Sequence, residues 1–246
     1  MSTGNEITSL HASNASLNSD FPVIYDSNRP SLHGILRSHG FKVVDLGIVP
    51  DDEAATVRAL RLGCERADVI VTTGGTSMGE GDLLKPVIER NLGGLIHFGR
   101  VAMKPGKPTT FATVSLDKSR SERTKVFALP GNPASALVTF HLFVLPCLRK
   151  LSGYPEGQWH LPTVKVQTTS AMRLDPRPEF HRVAIEAIAK PPYLIARSTG
   201  GQRSSRTVSL AGANGLVCLP SGSAPGTRRE IAQGEIVDAI LMGRLG

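Results

Sequence analysis

The sequence predicts an α/β protein: a doubly wound, mostly parallel sheet followed by a small all-β domain. Three observations predict it. Short apolar runs and amphipathic segments alternate from Ile24 to Lys150, the rhythm of parallel strands joined by helical crossovers. The run Val69-Ile70-Val71-Thr72-Thr73 stops at Gly74-Gly75 and leads through a small-residue loop into another helical pattern. Past Ser152-Gly153-Tyr154-Pro155-Glu156-Gly157 no helical period continues, and only short alternating strands and turns follow. These boundaries give an α/β domain at residues 1–152, with the Ser/Asn-rich residues 7–23 as a flexible loop, and an all-β domain at 158–246.

Each element has its own local reason. Arg29 to His39 reads as a helix ended by Gly40, and Phe41 to Leu46 as a strand. Asp51-Asp52-Glu53 opens a helix to about Arg66, with acid in its first turn as the dipole favours. Val57, Leu60 and Cys64 share one face of it. Asp68 to Thr73 is the next strand, and Leu83 to Asn91 the helix after the glycine loop. Leu95–Phe98, Thr109–Val114 and Val126–Leu129 are further strands, with a charged turn at 117–125. Ala134 to Lys150 is a long helix whose Leu137, Val138, His141, Leu145 and Leu148 are spaced as a buried face. In the second domain the strands are Thr163–Thr169, Phe180–Ala189, Tyr193–Ser198, Gly215–Leu219 and Glu235–Met242.

Composition narrows the function classes. The 246 residues are 40% apolar, enough for a packed core, and no apolar run approaches the ~20 residues of a membrane span. The opening residues lack the basic start and apolar stretch of a secretory signal. The three cysteines, Cys64, Cys147 and Cys218, lie far apart without a CxxC, as reduced thiols of a cytoplasmic protein do. The net charge of +7 would suit nucleic acid, yet aromatics are only 5% and Lys/Arg runs are short. The cations gather near turns, which suits a small polyanion better than a duplex; no nucleic-acid partner is expected.

Three segments carry the chemistry. Gly74, Gly75, Thr76 and Ser77, followed by Met78 to Asp82, form a loop between strand and helix where main-chain N–H groups can meet an anion. Asp82 fits if a divalent cation bridges carboxylate and phosphate. The spacing is neither that of a Walker A loop nor that of the Rossmann fingerprint, and a capped βα turn without a ligand explains the same residues. Lys104-Pro105-Gly106-Lys107-Pro108 holds two lysines in a stiff frame able to clamp an oxyanion; a solvated turn would look the same. Leu129-Pro130-Gly131-Asn132-Pro133-Ala134-Ser135 ends a strand and starts a helix, with Asn132 placed to cap it and Pro133 at its first position. In the second domain, Arg173 to Arg182 and Ser198 to Arg206 are rich in guanidinium forks suited to oxyanions. The histidines show no metal spacing, and His141 reads as a core residue.

Taken together, these segments resemble the molybdenum insertases: the MoeA-type molybdopterin molybdotransferases, their plant counterparts and the E domain of gephyrin. The matching strings are Ser2-Thr3-Gly4-Asn5-Glu6, Ile24 to Arg29, Asp45 to Val49, Gly74 to Asp82, Ile96 to Val101, Met103 to Thr109 and Leu129 to Ser135. They continue through Leu174 to Arg182, Ser198 to Arg206 and Ala213 to Leu216, and the second half is more similar to the gephyrin-like branch. The resemblance implies a molybdopterin-binding α/β fold and a barrel-like C-terminal domain. It implies transfer of molybdate to the dithiolene of adenylylated molybdopterin, with Mg²⁺-dependent release of AMP. By match to the family's motifs, Asp51 and Asp82 serve the metal and pyrophosphate, and Gly74, Gly75, Thr76 and Ser77 cradle phosphate. Lys104, Lys107 and Ser135 hold molybdate, with Arg177, Arg182 and Ser205 as helpers.

The resemblance also sets expectations about context. Family members carry two further domains and an apolar strand before the Ser-Thr-Gly-Asn-Glu string, which here follows Met1. The expectation is a sheet without its first strand, a homodimer or an N-terminal half supplied in trans, and poor turnover by this chain alone. A gephyrin-like scaffold that binds receptor-loop peptides is the competing function. A sister molybdopterin adenylyltransferase is disfavoured by the Lys-Pro-Gly-Lys-Pro string and the β domain.

Overall fold

The protein is described here from a computed structural model, covering residues 1–10, 23–76, 83–116, 123–223 and 228–245. The chain forms two compact units: Met1–Val101 with Pro108–Leu137, and Ala102–Lys107 with Val138–Gly246. The Lys104–Lys107 segment therefore belongs with the β unit, although it lies within the α/β stretch of the sequence.

The first unit is built on a six-stranded sheet. Its strands are β1 (Ser2–Thr3), β4 (Ile48–Val49), β5 (Val69–Thr73), β6 (Leu95–Phe98), β7 (Thr110–Val114) and β8 (Thr124–Leu129), in the order β4-β1-β5-β8-β7-β6. β4, β1, β5 and β8 run parallel, while β7 and β6 close one side antiparallel. β2 (Ile7–Thr8) and β3 (Ile24–Tyr25) form a separate two-stranded pair. The β-branched run of β5 pairs residue for residue with β8, which gives the sheet its longest parallel ladder.

Helix α1 (Asn28–Ser38) connects β3 to β4, and α2 (Glu53–Arg66) connects β4 to β5. The Asp52 side chain accepts the Ala55 N–H at 2.7 Å, so the acidic start is a real N-cap. Leu60 and Cys64 of α2 join Ile70, Val126 and Ala128 of the sheet in one core. The helical segment after the glycine loop starts as α3 (Leu84–Pro86) and widens into a π-helical turn at Val87–Asn91. Leu84, Val87 and Ile88 are its buried contribution to the core.

Four expectations need correction. Residues 41–47 form no strand; the strand is Ile48–Val49. Asp45 accepts the Gly47 N–H at 2.8 Å and also pairs with Arg29, which turns the chain before Val43 and Val44 can join the sheet. The place of the first strand is not empty: Ser2 and Thr3, the start of the Ser-Thr-Gly-Asn-Glu string, lie between β4 and β5 and pair with both as a two-residue strand. The 7–23 region is not wholly loop, because Ile7–Thr8 pairs with Ile24–Tyr25; residues 11–22 lie outside the described residues. The long helix is not uniform either. It runs as α4 (Pro133–Thr139), a π-helical turn (Phe140–Val144) and α5 (Leu145–Leu151).

Residues Pro133–Leu151 are also long and apolar enough, by composition alone, to cross a membrane. Here Ala134, Val138, Phe140, Val144 and Leu145 are each fully buried within the protein. A helix apolar nearly all round is what a core position demands. His141 is 8% exposed and meets Phe140 edge-on, a core histidine as expected.

The second unit is a closed five-stranded barrel of β9 (Thr163–Thr168), β11 (Glu179–Ala187), β12 (Leu194–Ser198), β13 (Gly215–Leu219) and β15 (Ile236–Leu241). β10 (Met172–Arg173) and β14 (Glu230–Ile231) form a small antiparallel pair beside it in the sequence. Val166, Val183, Ile185, Ala196, Val217 and Ala239 alternate inward and fill the barrel. Closure removes the free edges that five short strands would otherwise expose. The 153–161 segment is tied back to α5: Arg149 Nη1 donates to the carbonyls of Gln158, Trp159 and His160, and Lys150 lies 4.5 Å from the Trp159 ring centre.

Candidate functional site

The first group of candidate residues lies where the four parallel strands end. From β1 the chain moves to β4 on one side and then back past β1 to β5 on the other. Right-handed crossovers in opposite directions put their helices on opposite faces of the sheet, which leaves a crevice at the C-terminal ends of β1 and β5. Gly74 and Gly75 sit at that point, with φ of +87° and +63°. A Cβ on Gly74 would lie 2.3 Å from the Thr3 carbonyl oxygen, so only glycine allows this approach of β5's end to β1's end. Gly74 N–H donates to the Leu129 carbonyl at 3.2 Å, and Asn28 Nδ2 donates to the Gly131 carbonyl at 2.7 Å. The glycine turn, the β1 end and the Pro130-Gly131-Asn132 turn are thereby held together.

Polar groups line this edge. Thr3 is 6% exposed, and its Oγ1 has no hydrogen-bond partner among the described residues. Asn5 and Asp51 clasp each other: Asn5 N–H donates to Asp51 Oδ2 at 3.3 Å, and Asp51 N–H donates to Asn5 Oδ1 at 3.0 Å. That places the Asp51 carboxylate, exposed, beside the end of β1. Thr76 is buried, and Ser135 is buried in the first turn of α4. Ser77 and Asp82 lie outside the described residues. No group of three or more His, Cys, Asp or Glu side chains forms a metal cage among the described residues. Mg²⁺ asks for less, since it is held by one or two carboxylates together with phosphate oxygens and water. The exposed Asp51 carboxylate, held at the end of β1 by Asn5, fits that demand.

The second group lies in the barrel unit. Lys104 forms a bridge with Glu179: Lys104 N–H donates to the Pro178 carbonyl at 2.9 Å, and Phe180 N–H to the Lys104 carbonyl at 2.8 Å. The Lys104–Pro105 peptide is cis. Gly106, at φ +113°, passes so close to Thr139 that a Cβ would lie 2.4 Å from the Thr139 methyl. The lysine frame is thus seated on the barrel by its backbone.

Its ammonium is already engaged. Lys104 Nζ lies 3.3 Å from Asp175 Oδ2 and 3.1 Å from Glu179 Oε2. Arg177 Nε lies 3.0 Å from Asp175 Oδ1, and its Nη1 reaches the Met103 carbonyl at 3.4 Å. Burial works against the charged Asp175, but the bonds from Arg177 and Lys104 outweigh it and draw its pKa down to about 2. Burial likewise opposes charge on Glu179, and His181 and Lys104 hold its pKa below the ordinary glutamate value. His181 Nδ1 lies 3.5 Å from Glu179 Oε1, while its Nε2 meets Ser198 Oγ at 2.8 Å. Lys107, by contrast, is exposed.

Arg182 is deeper than the sequence implies. It is fully buried, its Nε donates to Ser209 Oγ at 2.9 Å and its Nη2 to the Arg203 carbonyl at 3.3 Å. Nη1 has no partner among the described residues, and burial lowers the pKa of the guanidinium. Ser205 is exposed in the loop that follows Arg203. Sequence reasoning missed Thr3, Asn5, Asp175, Glu179 and His181. The signal for Asp175 and Glu179 was present, two acids interleaved with Arg173, Arg177 and Arg182, but the arginines drew the attention.

Comparison with known proteins gives these groups a class. Residues 1–150 match the family described as a probable molybdopterin binding domain, and residues 165–242 match the MoeA C-terminal region (domain IV). A molybdopterin-binding α/β unit followed by a MoeA-type β unit is the architecture they define. The chain belongs to the MoeA family of molybdopterin-binding proteins. It is 39% identical to gephyrin of Dictyostelium discoideum over 99% of this chain and 36% of that protein. It is 40% identical to the molybdenum cofactor synthesis protein cinnamon of Drosophila melanogaster over 80% of this chain and 31% of that protein. A solved MoeA molybdopterin biosynthesis protein from Pyrococcus horikoshii superposes with a TM-score of 0.72 at 27% identity, over 99% of this chain and 53% of that one. The chain therefore spans about a third of these two curated relatives.

Proposed function

We propose that this chain serves molybdenum cofactor biosynthesis by binding adenylylated molybdopterin and molybdate and promoting molybdate transfer to the dithiolene, with release of AMP. The observation that carries the reading is the convergence of the β1, β4, β5 and β8 ends on a crevice with an unpartnered Thr3 hydroxyl and the Asp51 carboxylate. Gly74 shapes the turn with its N–H held by the Leu129 carbonyl, and the backbone N–H groups of Gly75 and Thr76, with Ser77, take phosphate oxygens. Asp51, with Asp82, would hold Mg²⁺, which supplies charge neutralisation at a pyrophosphate when bound. Lys104 and Lys107 take the molybdate dianion, with Arg177 beside them. Ser135, Arg182 and Ser205 keep the supporting roles that the family's motifs give them. A homodimer completes the assembly.

Calorimetry tests the reading. Wild-type chain should bind molybdopterin more tightly with Mg²⁺ than in EDTA, and molybdate independently of Mg²⁺. Lys104→Ala with Lys107→Ala should weaken molybdate at least tenfold and leave pterin binding nearly unchanged. Equal molybdate affinity in the double variant would remove the lysines from the site.

A further inference from the structure

We propose that Asp175 is a built-in rival for the anion at Lys104: its carboxylate holds the ammonium while the site is empty and yields it only to an oxyanion carrying two negative charges. The inference rests on the reading that the Lys104 cluster takes an oxyanion.

The Lys104 ammonium lies 3.3 Å from Asp175 Oδ2 and 3.1 Å from Glu179 Oε2. An anion that binds it must replace at least one of these contacts, and both carboxylates are held ionised. A carboxylate fixed on the same chain competes as though it were present at high concentration. The main chain at Asp175 is itself held, since its carbonyl accepts the Gly222 N–H at 2.9 Å and Leu174 N–H donates to the Arg229 carbonyl at 2.9 Å. A monoanion offers the ammonium no more charge than Asp175 already gives, and it also loses its free motion on binding. A dianion offers twice the charge at the same distance. The contact therefore sorts ligands by charge.

The two carboxylates differ in how they respond when Lys104 turns to a ligand. Glu179 is the fixed one. Its side chain is 3% exposed, and its main chain forms a bridge with Lys104. His181 Nδ1 lies 3.5 Å from its Oε1, and its charge favours the ionised form of the enclosed Arg182 guanidinium. Glu179 keeps that permanent cation whatever Lys104 does. Asp175 is the exchangeable one. Its side chain is 16% exposed, and its two oxygens divide the work. Oδ1 accepts the Arg177 main-chain N–H at 3.1 Å and Arg177 Nε at 3.0 Å. Oδ2 faces Lys104, with Arg177 Nη2 further off at 3.4 Å. Asp175 keeps Arg177 after Lys104 has left, so neither carboxylate is stranded without a counter-charge.

The same contacts give the acids a purpose beside an anion site. A lysine and an arginine with side chains 30% and 39% exposed would, if uncompensated, attract every small anion. Here each of these two open cations already has a carboxylate. Specificity then comes from a competing contact set against the wrong ligand as well as from attraction to the right one.

Asp175→Asn separates the two oxygens. The amide oxygen keeps its place toward Arg177, while an amide nitrogen in place of Oδ2 cannot accept from Lys104. Titration calorimetry of the full chain at fixed ionic strength compares sodium molybdate with sodium nitrate. Wild type should bind molybdate and show no nitrate binding at the same concentrations. Asp175→Asn should bind molybdate roughly tenfold tighter and should now bind nitrate measurably. Adding Lys104→Ala to that variant should abolish both gains, which ties them to the ammonium. A residue with a structural role alone would lose affinity on substitution, so a gain distinguishes the rival from a support. If Asp175→Asn does not fold, wild-type protein decides: the Asp175 carboxyl carbon resonance should move on adding molybdate and stay in place with nitrate. Nitrate binding by wild type, unchanged or weaker molybdate binding by folded Asp175→Asn, nitrate still excluded from that variant, or an Asp175 resonance unmoved by molybdate overturns the inference alone. Failure of wild type to bind molybdate overturns the reading of the Lys104 cluster and the inference with it.

Discussion

The strand-end crevice of the first unit and the lysine cluster of the second differ in what they are made of. The crevice is mostly backbone: two glycines at positive φ, an approach that leaves no room for a side chain, and a clasp between Asn5 and Asp51. The cluster is all side-chain charge, two cations against two carboxylates, seated on the barrel by backbone bonds on either side of Lys104. The first kind of site is fixed by steric permission at its glycines. The second is held by ion pairs, so its integrity depends on Asp175 and Glu179 staying ionised.

The comparison can be broken most severely at Gly74. Gly74→Ala should cost roughly 2–4 kcal/mol, from a strained φ together with the clash against the Thr3 carbonyl. Urea unfolding followed by far-ultraviolet dichroism, with hydrogen exchange on β5, measures it. A loss below about 1 kcal/mol would mean the two strand ends can part freely. The next largest effect belongs to Arg149, whose guanidinium holds three carbonyls of the 153–161 segment. Arg149→Met should lower stability by about 1–2 kcal/mol, and fluorescence of Trp159, the one tryptophan, should report the loosened segment.

Acid should separate the two regions further. Asp175 has a folded-state pKa of about 2 against an ordinary 3.8, so its stabilisation is present above pH 4 and lost as pH falls toward 2. Glu179, lowered from its ordinary 4.5, acts in the same direction. Urea midpoints between pH 5 and pH 2.5, read by Trp159 fluorescence, should fall by about 1 kcal/mol more in wild type than in Asp175→Asn. Equal slopes would show that the cluster does not contribute. The smallest effect is at the solvent-exposed Arg197–Glu186 pair on the barrel surface. Arg197→Ala should change stability by less than about 0.5 kcal/mol.

Much of this was legible before any coordinates. β5 and its double glycine, the Asp52 cap of α2 and β13 at Gly215–Leu219 stand where local pattern puts them. The misses share a cause. Val43 and Val44 have strand character, but the turn at Asp45 and Gly47 decides against them. Ser2 and Thr3 have little pattern of their own and become strand because β4 and β5 hold a place for them. Lys104 and Lys107 look alike in sequence, yet one is bound to two carboxylates and the other is exposed.

The sequence by itself determined the class of each unit, the positions that must be glycine and the kinds of ligand its loops can meet. These follow from period, steric permission and charge type, which are local properties. Only the tertiary structure decided which carboxylate meets which cation, that Arg182 is enclosed, and that His181 stands between Glu179 and Ser198. Those pairings join residues from separate segments, and a pairing between distant segments is fixed by the packing of the barrel, not by the spacing of residues along the chain.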